Sequence, residues 1–543
     1  MVHSRLRRAV CWLTGGLLVA AFAIFAACRW GNVGATAEPV EEAAAPPIFQ
    51  VIEPGDSGVK HLFRVGEEAG HFGILEALGG GAAVFDFDGD GLMDIFLTGG
   101  GYYTGEKYRT IRGQPCRLYK NLGGWKFRDV TAEAGLECAD FYTHGCAVAD
   151  YDCDGWPDLL VTGYGRLALF HNEPVDPRDS TKGRKFVDVT QQAGLLREHF
   201  WSTSAAWGDL DGDGYPDLYV CQYVNWSLDN NIHCKDGKAE KRDLCGPVQF
   251  QARPHALYRN LGNGRFLDVS NEAGLCVPRQ PKDYDRLTHV SEATKERLRH
   301  ADQQKDYGKG LGVLLIDVNG DGKPDIYVAN DSTDNFLYLN RSQPGKIRLE
   351  ELGQVLAVAQ DDRGKPNGSM GLDAADYDRT GRPSIWVTNW ENDLHALYQN
   401  MPNAKGDLGF RYATRRAGMG VIGNRNVGWG TAFIDLENGG WEDVVIVHGH
   451  THRYPDSGDR YQFPVIFRNG GVPVERGQVQ FVERTREGGL YFQGKHNARG
   501  MAVGDLDNDG RLDLIVSHLT EPAALLRNVA SRDAHWLGIQ LET

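Results

Sequence analysis

A run of carboxylates dominates one short segment of the sequence. Residues 86–97 read DFDGDGLMDIFL, with Asp86, Asp88, Asp90 and Asp94 spaced around two glycines. Acidic side chains this close repel one another unless a cation neutralises them, and hard oxygen ligands at alternate positions suit calcium. The segment therefore predicts a calcium-binding turn.

The flanking residues exclude an EF-hand. An EF-hand loop needs a bidentate Glu at its twelfth position and a helix on each side, and the twelfth residue here is Leu97. The neighbouring runs GAAVF and IFL are short and β-rich or small, which favours strands. The segment is interpreted as a turn between two strands.

The same turn recurs along the chain. Further copies begin at Asp150, Asp209, Asp317, Asp376, Asp435 and Asp505. The spacings between first aspartates are 64, 59, 108, 59, 59 and 70 residues, so one unit of about 60 residues carries a long insertion between its third and fourth copies. A unit of that length has room for about four strands.

Hairpin signals fill the rest of each unit. LYKNLGGWKFRDVT (118–131) and LYRNLGNGRFLDVS (257–270) each contain two β-type runs joined by a Gly-containing turn. Seven units of four antiparallel strands predict an all-β, seven-bladed β-propeller. Small residues five places before each first aspartate fit inner strands that crowd a central channel; these are Gly81, Gly145, Ser204, Gly312, Gly371, Gly430 and Gly500.

The ring is expected to close through the two ends of its sequence. The last unit has its turn and an LLRN strand but no further strand before the tail. Residues 48–63, IFQVIEPGDSGVKHLF, resemble the FRDVTAEAGL and FVDVTQQAGL pieces that end other units. This segment is therefore predicted to supply the outer strand of the seventh blade.

The N-terminal residues differ from the repeats. Arg5, Arg7 and Arg8 precede an apolar run from 11 to 27, the pattern of a secretory signal. Lipidation of Cys28 after FAAC, cleavage after Ala37 and an uncleaved anchor are alternatives, and all place the ring outside the cytoplasm, as a periplasmic or outer-membrane lipoprotein or an extracellular protein. The expected domains are a leader (1–28), a Pro/Ala-rich linker (29–47), the propeller (48–531) and a short tail (532–543).

Cysteine usage agrees with export. Eight cysteines lie beyond the leader, an even number that favours disulfides in an exported chain. Cys234 with Cys245 is the preferred pair because it would staple the polar excursion NNIHCKDGKAEKRDLCGP. For the other six cysteines, further disulfides and buried thiols both stay open.

Five turns keep the full set of side-chain ligands at positions one, three, five and nine, with Gly at position six. Their predicted ligands are Asp86, Asp88, Asp90, Asp94; Asp150, Asp152, Asp154, Asp158; Asp209, Asp211, Asp213, Asp217; Asp317, Asn319, Asp321, Asp325; and Asp505, Asp507, Asp509, Asp513. Thr380 and Ser384 replace two acids of the fifth turn, and Gly439 removes one from the sixth, so weak or no metal binding is expected there.

The charge balance fits about five calcium ions. The formal net charge is -15, and five Ca²⁺ would add +10 and leave about -5. Most of the acidity then belongs to the sites themselves. With no basic stripe in the sequence, nucleic acid is not an expected partner, and a monomer that meets membrane only through a lipid anchor is expected.

A ligand site is expected where the inner strands begin. Residues six or more places before the first aspartates would line the mouth of the channel, and their polar and aromatic character suits a glycan, or an acidic group on a protein. Packing of the inner ring is the alternative. The candidate ligand-binding residues are His144, Trp201, Lys309, Trp429 and Arg499.

A histidine cluster offers a different chemistry. In HGHTH, His448, His450 and His452 would alternate onto one face if extended, a geometry that suits zinc or copper, with His144 or His496 as a further ligand. An ordinary hydrogen-bonded loop is the alternative. No nucleophile elbow, phosphate loop or zinc-protease helix accompanies the cluster.

These motifs resemble the FG-GAP/VCBS-repeat propellers of the cartilage acidic protein-like family. The resemblance rests on the calcium turns, the LYxN strands, the FxDVTxxAGL endings and segments such as VGWGTAFIDLENGGWEDVVIVHGH (427–450). It implies an extracellular, calcium-binding propeller with adhesion or ligand-binding duties and no established reaction. AHWLGIQLET resembles the opening of the ASPIC/UnbV domain that often follows such propellers, and that domain is expected to be absent here.

Three function classes follow. The favoured one is a non-catalytic, exported, calcium-stabilised propeller that binds protein or polysaccharide. The second is an enzyme acting on polysaccharide through a histidine-bound metal, although no catalytic residue is assigned. The third is a structural component of the cell envelope.

Overall fold

The computed structural model describes residues 46–137, 140–179, 182–196, 201–235, 241–275, 307–403, 406–420, 425–456, 458–471, 480–530 and 536. These residues belong to one compact unit, Pro46–Thr543. The leader, Cys28, most of the linker and nearly all of the tail lie outside the described residues. Among the described residues, no helix is long and apolar enough to cross a bilayer.

Seven four-stranded antiparallel sheets make up the fold, so the prediction of an all-β, seven-bladed propeller is confirmed. Strand β1 is Phe49–Ile52. The first three blades, with the hairpin β4–β5 inserted in the first and β14–β15 in the third, contain β2 (Ala82–Phe85), β3 (Asp94–Leu97), β4 (Gly101–Thr104), β5 (Thr110–Gly113), β6 (Arg117–Asn121), β7 (Phe127–Asp129), β8 (Tyr142–Ala149), β9 (Asp158–Tyr164), β10 (Leu167–Pro174), β11 (Arg184–Asp188), β12 (Ser202–Gly208), β13 (Asp217–Gln222), β14 (Cys234–Lys235), β15 (Arg242–Asp243), β16 (Ala256–Asn260) and β17 (Phe266–Asp268).

The remaining blades repeat the pattern without inserted hairpins among the described residues. They contain β18 (Gly310–Ile316), β19 (Asp325–Asn330), β20 (Phe336–Asn340), β21 (Leu349–Glu351), β22 (Ser369–Ala375), β23 (Ser384–Asn389), β24 (Ala396–Asn400), β25 (Phe410–Tyr412), β26 (Gly428–Ile434), β27 (Asp443–His448), β28 (Val465–Asn469), β29 (Phe481–Glu483), β30 (Ala498–Gly504), β31 (Asp513–His518) and β32 (Ala524–Asn528). Two single-turn helices lie near β1, the outer strand of the seventh blade. Helix α1 (Pro54–Ser57) follows β1 in sequence, and α2 (Leu490–Gln493) contacts it through the rings of Phe492 and Phe49.

The ring closes by pairing the two ends of the repeat region. Strand β1 lies antiparallel to β32, with Phe49 opposite Asn528 and Ile52 opposite Leu525. The seventh sheet therefore has the order β1-β32-β31-β30, as the sequence predicted for this segment. The N-terminal strand supplies the outer edge that the last repeat lacks.

The inner strands crowd one another around the channel. A Cβ atom on Gly371 would lie 1.9 Å from the carbonyl oxygen of Trp429, and one on Gly145 would lie 2.4 Å from that of Thr203. These distances explain the small residues at this position, because a larger side chain would displace the backbone of the next blade. The strands of blades two to seven also carry a register shift close to this point.

Hydroxyl groups link neighbouring inner strands. The side chain of Thr98 accepts the N–H of Gly81 at 2.9 Å and donates to the carbonyl of His144 in the next blade, also at 2.9 Å. Thr162, Thr388 and Ser517 make the same two-blade contact elsewhere in the ring. Each hydroxyl thus satisfies a backbone amide of its own blade and a carbonyl of its neighbour.

A separate apolar core fills each space between blades. Phe96 and Leu118 pack against Leu159 and Phe186, for example, between the first two blades. Equivalent clusters occupy the other six interfaces, including the one between blades seven and one. Because the faces of every blade are covered by its neighbours, burial of apolar surface favours the closed ring.

A cap covers the end of the channel where the inner strands begin. Among the described residues it consists of 64–77, the hairpin β4–β5, 226–235 and 241–255 of the excursion, and 449–456 and 458–461, and apolar side chains of the first three pack with Trp201 and Trp429 of the inner ring. Arg460 pairs with Glu67 at 2.8 Å and Arg453 pairs with the buried Glu76, which join the first and last of these segments. The Cys234–Cys245 disulfide staples the excursion, as predicted, whereas Cys116, Cys146, Cys153 and Cys221 are thiols and Cys138 and Cys276 lie outside the described residues.

Candidate metal centres

The acidic turns lie together on the face of the ring opposite the cap. Each joins the end of an inner strand to the start of the second strand, and the ninth residue opens that second strand, as Asp94 opens β3 and Asp217 opens β13. Because all blades have the same strand order, the seven turns form a circle at one end of the channel. The fold therefore gives every predicted ligand set the same local frame.

The first aspartate shapes its turn. The carboxylate of Asp86 accepts backbone N–H groups from Gly89 at 2.8 Å, Asp90 at 3.2 Å and Gly91 at 2.8 Å. Gly91 has φ +83°, a left-handed conformation that glycine adopts at little cost. Equivalent bonds recur at Asp150, Asp209, Asp317 and Asp505. The turn is thus formed by hydrogen bonds within the protein.

The ninth aspartate is fully buried and anchored on both oxygens. Asp94 accepts the N–H of Phe87 at 3.1 Å and that of Asn121 at 2.7 Å. Burial raises the pKa of Asp94 to about 7, and the neighbouring carboxylates of Asp88 and Asp90 add to the shift. Burial likewise raises the pKa of Asp217 and Asp513 to about 7. A cation at these turns would offset the charge that burial disfavours.

The third aspartate is the residue whose environment best fits a cation. In four turns its Oδ1 atom is buried and has no hydrogen-bond partner among the described residues; these are Asp88, Asp152, Asp211 and Asp507. A buried carboxylate oxygen without a partner is costly, and such atoms are explained by an ion or water.

The neighbouring acids complete each of these four groups. Ligand oxygens within 4.8 Å of one another are offered by Asp86, Asp88 and Asp94; by Asp150, Asp152 and Asp154; by Asp209, Asp211 and Asp217; and by Asp505, Asp507 and Asp509. Clustered carboxylate oxygens suit a hard divalent cation. Several of the predicted acidic turns can therefore hold a metal ion.

The fourth turn is different in detail. The side chain of Asn319 accepts the N–H of Asp321 at 2.8 Å and donates to the Asp321 carboxylate at 3.2 Å. The amide thereby satisfies its own polar atoms within the turn. Metal binding by Asp317, Asn319, Asp321 and Asp325 stays a prediction.

A set of basic residues on the third strand of four blades was not predicted from the sequence. The ammonium group of Lys120 contacts Asp88 and lies 2.9 Å from Asp90. Arg259 pairs with Asp211 at 2.7 Å and with Asp213 at 3.1 Å, and Arg527 lies 2.8 Å from Asp507. We call Lys120, His171, Arg259 and Arg527 the strand-three cations. The detectable signal was the residue preceding Asn in each LYxN-like strand.

His171 is the variant of this set. Its Nδ1 lies 3.0 Å from Asp158 and 3.7 Å from Asp152. The hydrogen bond to Asp158 raises the pKa of His171 to about 9. The second turn therefore holds a protonated imidazole beside its acids when no metal is bound.

The Asn of the same strands ties each turn to the preceding blade. The amide of Asn260 donates to the carbonyl of Pro216 in its own turn at 3.0 Å and to that of Tyr151 in the preceding turn at 2.7 Å. The same pair of bonds is made by Asn121, Asn172, Asn340, Asn400, Asn469 and Asn528. These seven residues, the Asn ring, couple every acidic turn to its neighbour.

The damaged turns hold protein donors among their remaining acids. In the fifth turn, Asp378 accepts the hydroxyl of Thr380 at 3.0 Å and the amide of Gln399 at 2.7 Å. In the sixth, where Gly439 offers no side chain, Arg468 contacts the remaining acids. Weak or absent metal binding in both turns stays a prediction, now with a physical reason.

The five candidate residues of the channel mouth are buried. His144, Trp201, Lys309, Trp429 and Arg499 are all 7% exposed or less, because the cap lies over them. Arg499 donates to the carbonyls of Ala77 and Ala498 at 2.7 Å and lies 4.2 Å over the Trp429 ring. Ligand binding by these five residues stays an untested prediction, and in this structure their contacts are those of packing.

The histidines of HGHTH do not share one face. His448 is buried and lies 3.2 Å from His395, while its Nδ1 is 2.8 Å from the carbonyl of Phe463. His450 faces Glu391 at 3.5 Å, and His452 packs with it against Trp390. His144 and His496 lie in other contacts, with Trp201 and Glu521 respectively. The condition for a shared face, an extended segment, is not met because β27 ends at His448 and the following residues turn into the cap. The segment is the hydrogen-bonded loop of the alternative interpretation.

Comparison with known proteins agrees with these repeats. A family model described as FG-GAP-like repeat matches residues 86–161, 150–220 and 317–387. The chain is 25% identical over 436 residues to Cartilage acidic protein 1 of Mus musculus, covering 73% of this chain and 61% of that protein. The Homo sapiens protein of that name is 25% identical, covering 73% and 60%, and the Xenopus tropicalis protein is 27% identical, covering 73% and 61%. The chain thus spans less than two thirds of the length of these relatives.

One solved structure is similar in outline only. It is a lectin of Agrocybe aegerita, solved to show specific recognition of non-reducing terminal N-acetylglucosamine. The lectin is 13% identical, with a TM-score of 0.38, and the match covers 82% of this chain and 87% of that one. A likeness at this level carries no conclusion about ligands.

Proposed function

Because this chain is an FG-GAP propeller of the cartilage acidic protein 1 family, we propose that it acts outside the cytoplasm as a calcium-stabilised, non-catalytic module that binds protein or polysaccharide. The propeller fold supports a binding role in general terms. Calcium, export and the class of ligand are the specific parts of the proposal, and each has its own support.

The buried, unpartnered oxygens of the third aspartates carry the proposal of calcium. They recur in blades seven, one, two and three, in turns whose other acids lie within 4.8 Å. Oxygen-only ligand sets with carboxylates favour Ca²⁺ over metals that prefer nitrogen or sulfur. About five ions per chain is the upper number that the intact turns support.

The disulfide supports export. Cys234 and Cys245 are bonded across the excursion of the cap, and disulfides of this kind persist in oxidising compartments. The predicted signal and the lipidation of Cys28 lie outside the described residues and belong to the same proposal.

An open cleft beside the cap is the proposed ligand surface. It has a volume of about 570 Å³ and lies between residues 60–68, residues 114–117 and the 519–520 loop of the seventh blade. Lys60 and Leu62 are exposed at its edge, and Arg64 lies over the ring of Tyr102. Mixed charged, aromatic and apolar groups in a cleft of this size suit a polar chain such as a polysaccharide or an extended peptide.

Calcium binding is tested first, on the full chain. The protein is stripped with a chelator, and its melting temperature is then measured after addition of calcium, magnesium or zinc. We expect calcium to restore a higher melting temperature and to bind in several equivalents by equilibrium dialysis. An effect of zinc alone, or no bound calcium, contradicts the proposal.

Ligand binding is tested by capture from an envelope extract and from a panel of immobilised polysaccharides. The wild type is compared with Lys60→Glu in the cleft, and with Lys346→Glu, which makes the same charge change at an exposed site on the fourth blade. Loss of a captured ligand only in Lys60→Glu supports the cleft. Equal capture by both variants contradicts it. The buried Trp429 and Arg499 are unsuitable targets, since their replacement would disturb packing.

A further inference from the structure

The sixth turn holds a guanidinium group between two of its acids. Arg468 donates from Nη1 to Oε1 of Glu437 at 3.1 Å, and its Nη2 lies 2.8 Å from Oε2 of the same carboxylate. Its Nε lies 3.0 Å from Oδ2 of the buried Asp443. One side chain therefore bridges the third and ninth acids of the turn, the two positions that would face a metal ion.

The strand-three cations of blades one, three and seven lie elsewhere. Lys120, Arg259 and Arg527 bridge the third and fifth acids, and among the described residues they make no ion pair with the ninth acid. In those same turns the third aspartate keeps one buried oxygen that has no hydrogen-bond partner in the described part of the chain. His171 of blade two lies beside the third and ninth acids, but there Asp152 keeps a buried oxygen without a hydrogen-bond partner in the described residues.

Gly439 removes the fifth acid from the sixth turn, so Arg468 cannot bridge a third and a fifth acid. It contacts the third and the ninth acid instead.

The oxygen atoms of the sixth turn are correspondingly satisfied. Asp435 accepts the N–H groups of Gly439, at 2.7 Å, and Gly440. Asp443 accepts the N–H of Asn469 at 2.7 Å in addition to its contact with Arg468. No acid oxygen of this turn is among the buried atoms that lack a partner in the described residues.

We propose that Arg468 replaces the metal ion in the sixth blade, as a built-in cation that holds the third and ninth acids together. The inference deepens the proposed function, since it rests on calcium filling the equivalent place in the intact turns. A fixed guanidinium fits because it is always charged and its planar fork matches carboxylate geometry. The sixth blade would then keep its turn in the absence of calcium.

A neighbouring arginine supports the same turn from outside. The guanidinium of Arg379, in the fifth turn, donates to the carbonyl of Gly440 from Nε at 2.8 Å and lies 4.1 Å over the ring of Trp441. This contact leaves Glu437 and Asp443 to Arg468. The variant that tests the proposal therefore has to change Arg468 and restore the missing acid.

The test compares bound calcium in the full-length wild type and in Arg468→Met, Gly439→Asp. The double variant removes the cation and restores an acid at the fifth position, so we expect it to bind about one more calcium ion per chain by equilibrium dialysis. Arg468→Lys alone keeps both the positive charge and the Gly at the fifth position, and it should bind no additional ion. Near-UV circular dichroism in calcium establishes that each variant is folded.

The possible results separate this inference from the proposed function. If the wild type binds several ions and the methionine double variant binds no more, the role of Arg468 is refuted while the function stands. If the wild type binds none but the double variant binds one, the proposed function fails and the role of Arg468 stands. If the double variant does not fold, Arg468→Met alone decides: its melting temperature in chelator should fall below that of the wild type, and an unchanged value refutes the role.

Discussion

Replacing Asn260 with Ala should destabilise the ring by breaking one link of the Asn ring. The side chain is fully buried and makes three hydrogen bonds: to the carbonyls of Tyr151 and Pro216, and from the N–H of Gly262 at 3.0 Å. At about 1 kcal/mol for each net hydrogen bond, the free energy of unfolding should fall by about 3 kcal/mol. The bond between the Asn260 N–H and Asp217 does not depend on the side chain and should persist.

The size of the change in melting temperature follows from the size of the ring. An unfolding entropy of about 2 cal/mol/K per residue gives about 1 kcal/mol/K for about 500 residues, so a 3 kcal/mol loss lowers the melting temperature by about 3 °C in a single cooperative transition. Urea denaturation and calorimetry in calcium both measure the effect. Asn271→Ala, at an exposed position of the same blade, is the matched control.

Two outcomes would refute this reasoning. Equal stability of Asn260→Ala and Asn271→Ala would mean that the link between blades contributes nothing. A much milder effect of Asn260→Asp than of Asn260→Ala would also contradict it, because Asp keeps the shape but loses both donated hydrogen bonds and adds charge beside the acidic turn.

Three further predictions concern the turns and the cap. Asp211→Asn should lose about one bound calcium ion per chain in equilibrium dialysis, whereas Asp378→Asn in the fifth turn should leave the number unchanged; equal losses would contradict the assignment. The calcium-dependent rise in melting temperature should shrink as the pH falls from 7.5 to 5.5. Asp94, Asp217 and Asp513 each have a pKa raised to about 7 in the metal-free fold, so they bind protons over this range and the metal-free fold becomes more stable. Calcium must then compete with these protons for the same carboxylates. A rise that is independent of pH would count against these aspartates as ligands. Replacing Cys234 and Cys245 with Ser removes a disulfide between cysteines 11 residues apart in sequence, and the chain-entropy model gives such a bond a stabilisation of about 3 kcal/mol. Trypsin should therefore cut the excursion faster in this variant. An unchanged rate of cleavage would show that the contacts of the cap hold the excursion without the disulfide.

The repeats made the ring predictable from sequence. The first and ninth aspartates fix the end of one strand and the start of the next, so each copy sets the register of its blade. Gly371 and Gly145 showed where backbones approach closely, and residues 48–63 showed how the seventh blade is completed. Each of these features is a pattern within a short segment that the repeats allow to be compared, which is why a single sequence reveals it.

The parts that were not predicted depend on contacts between distant segments. The cap joins Glu76 to Arg453 and Glu67 to Arg460, pairs separated by more than 370 residues that no local pattern connects. For the same reason Arg499 was expected to bind a ligand at the channel mouth, although in the structure it is buried and donates to the carbonyls of Ala77 and Ala498. The strand-three cations could be identified in the sequence as residues, but their contacts with the acids depend on the pairing of β6 with β3 and on the equivalent pairing in other blades.

The pairing of β1 with β32 gives the ring a direction of mechanical weakness. Phe49 lies opposite Asn528, and the N–H of Val529 donates to the carbonyl of Ile48 at 2.7 Å, so the two strands meet at the ends where the chain enters and leaves the propeller. A force that pulls these two ends apart breaks the backbone hydrogen bonds between β1 and β32 one after another, which is the unzipping geometry. A force applied to β1 along its length, against the body of the ring, loads them together in shear. An adhesion load carried between the two ends would therefore open blade seven first, while a load on one end alone would meet the full resistance of the seam.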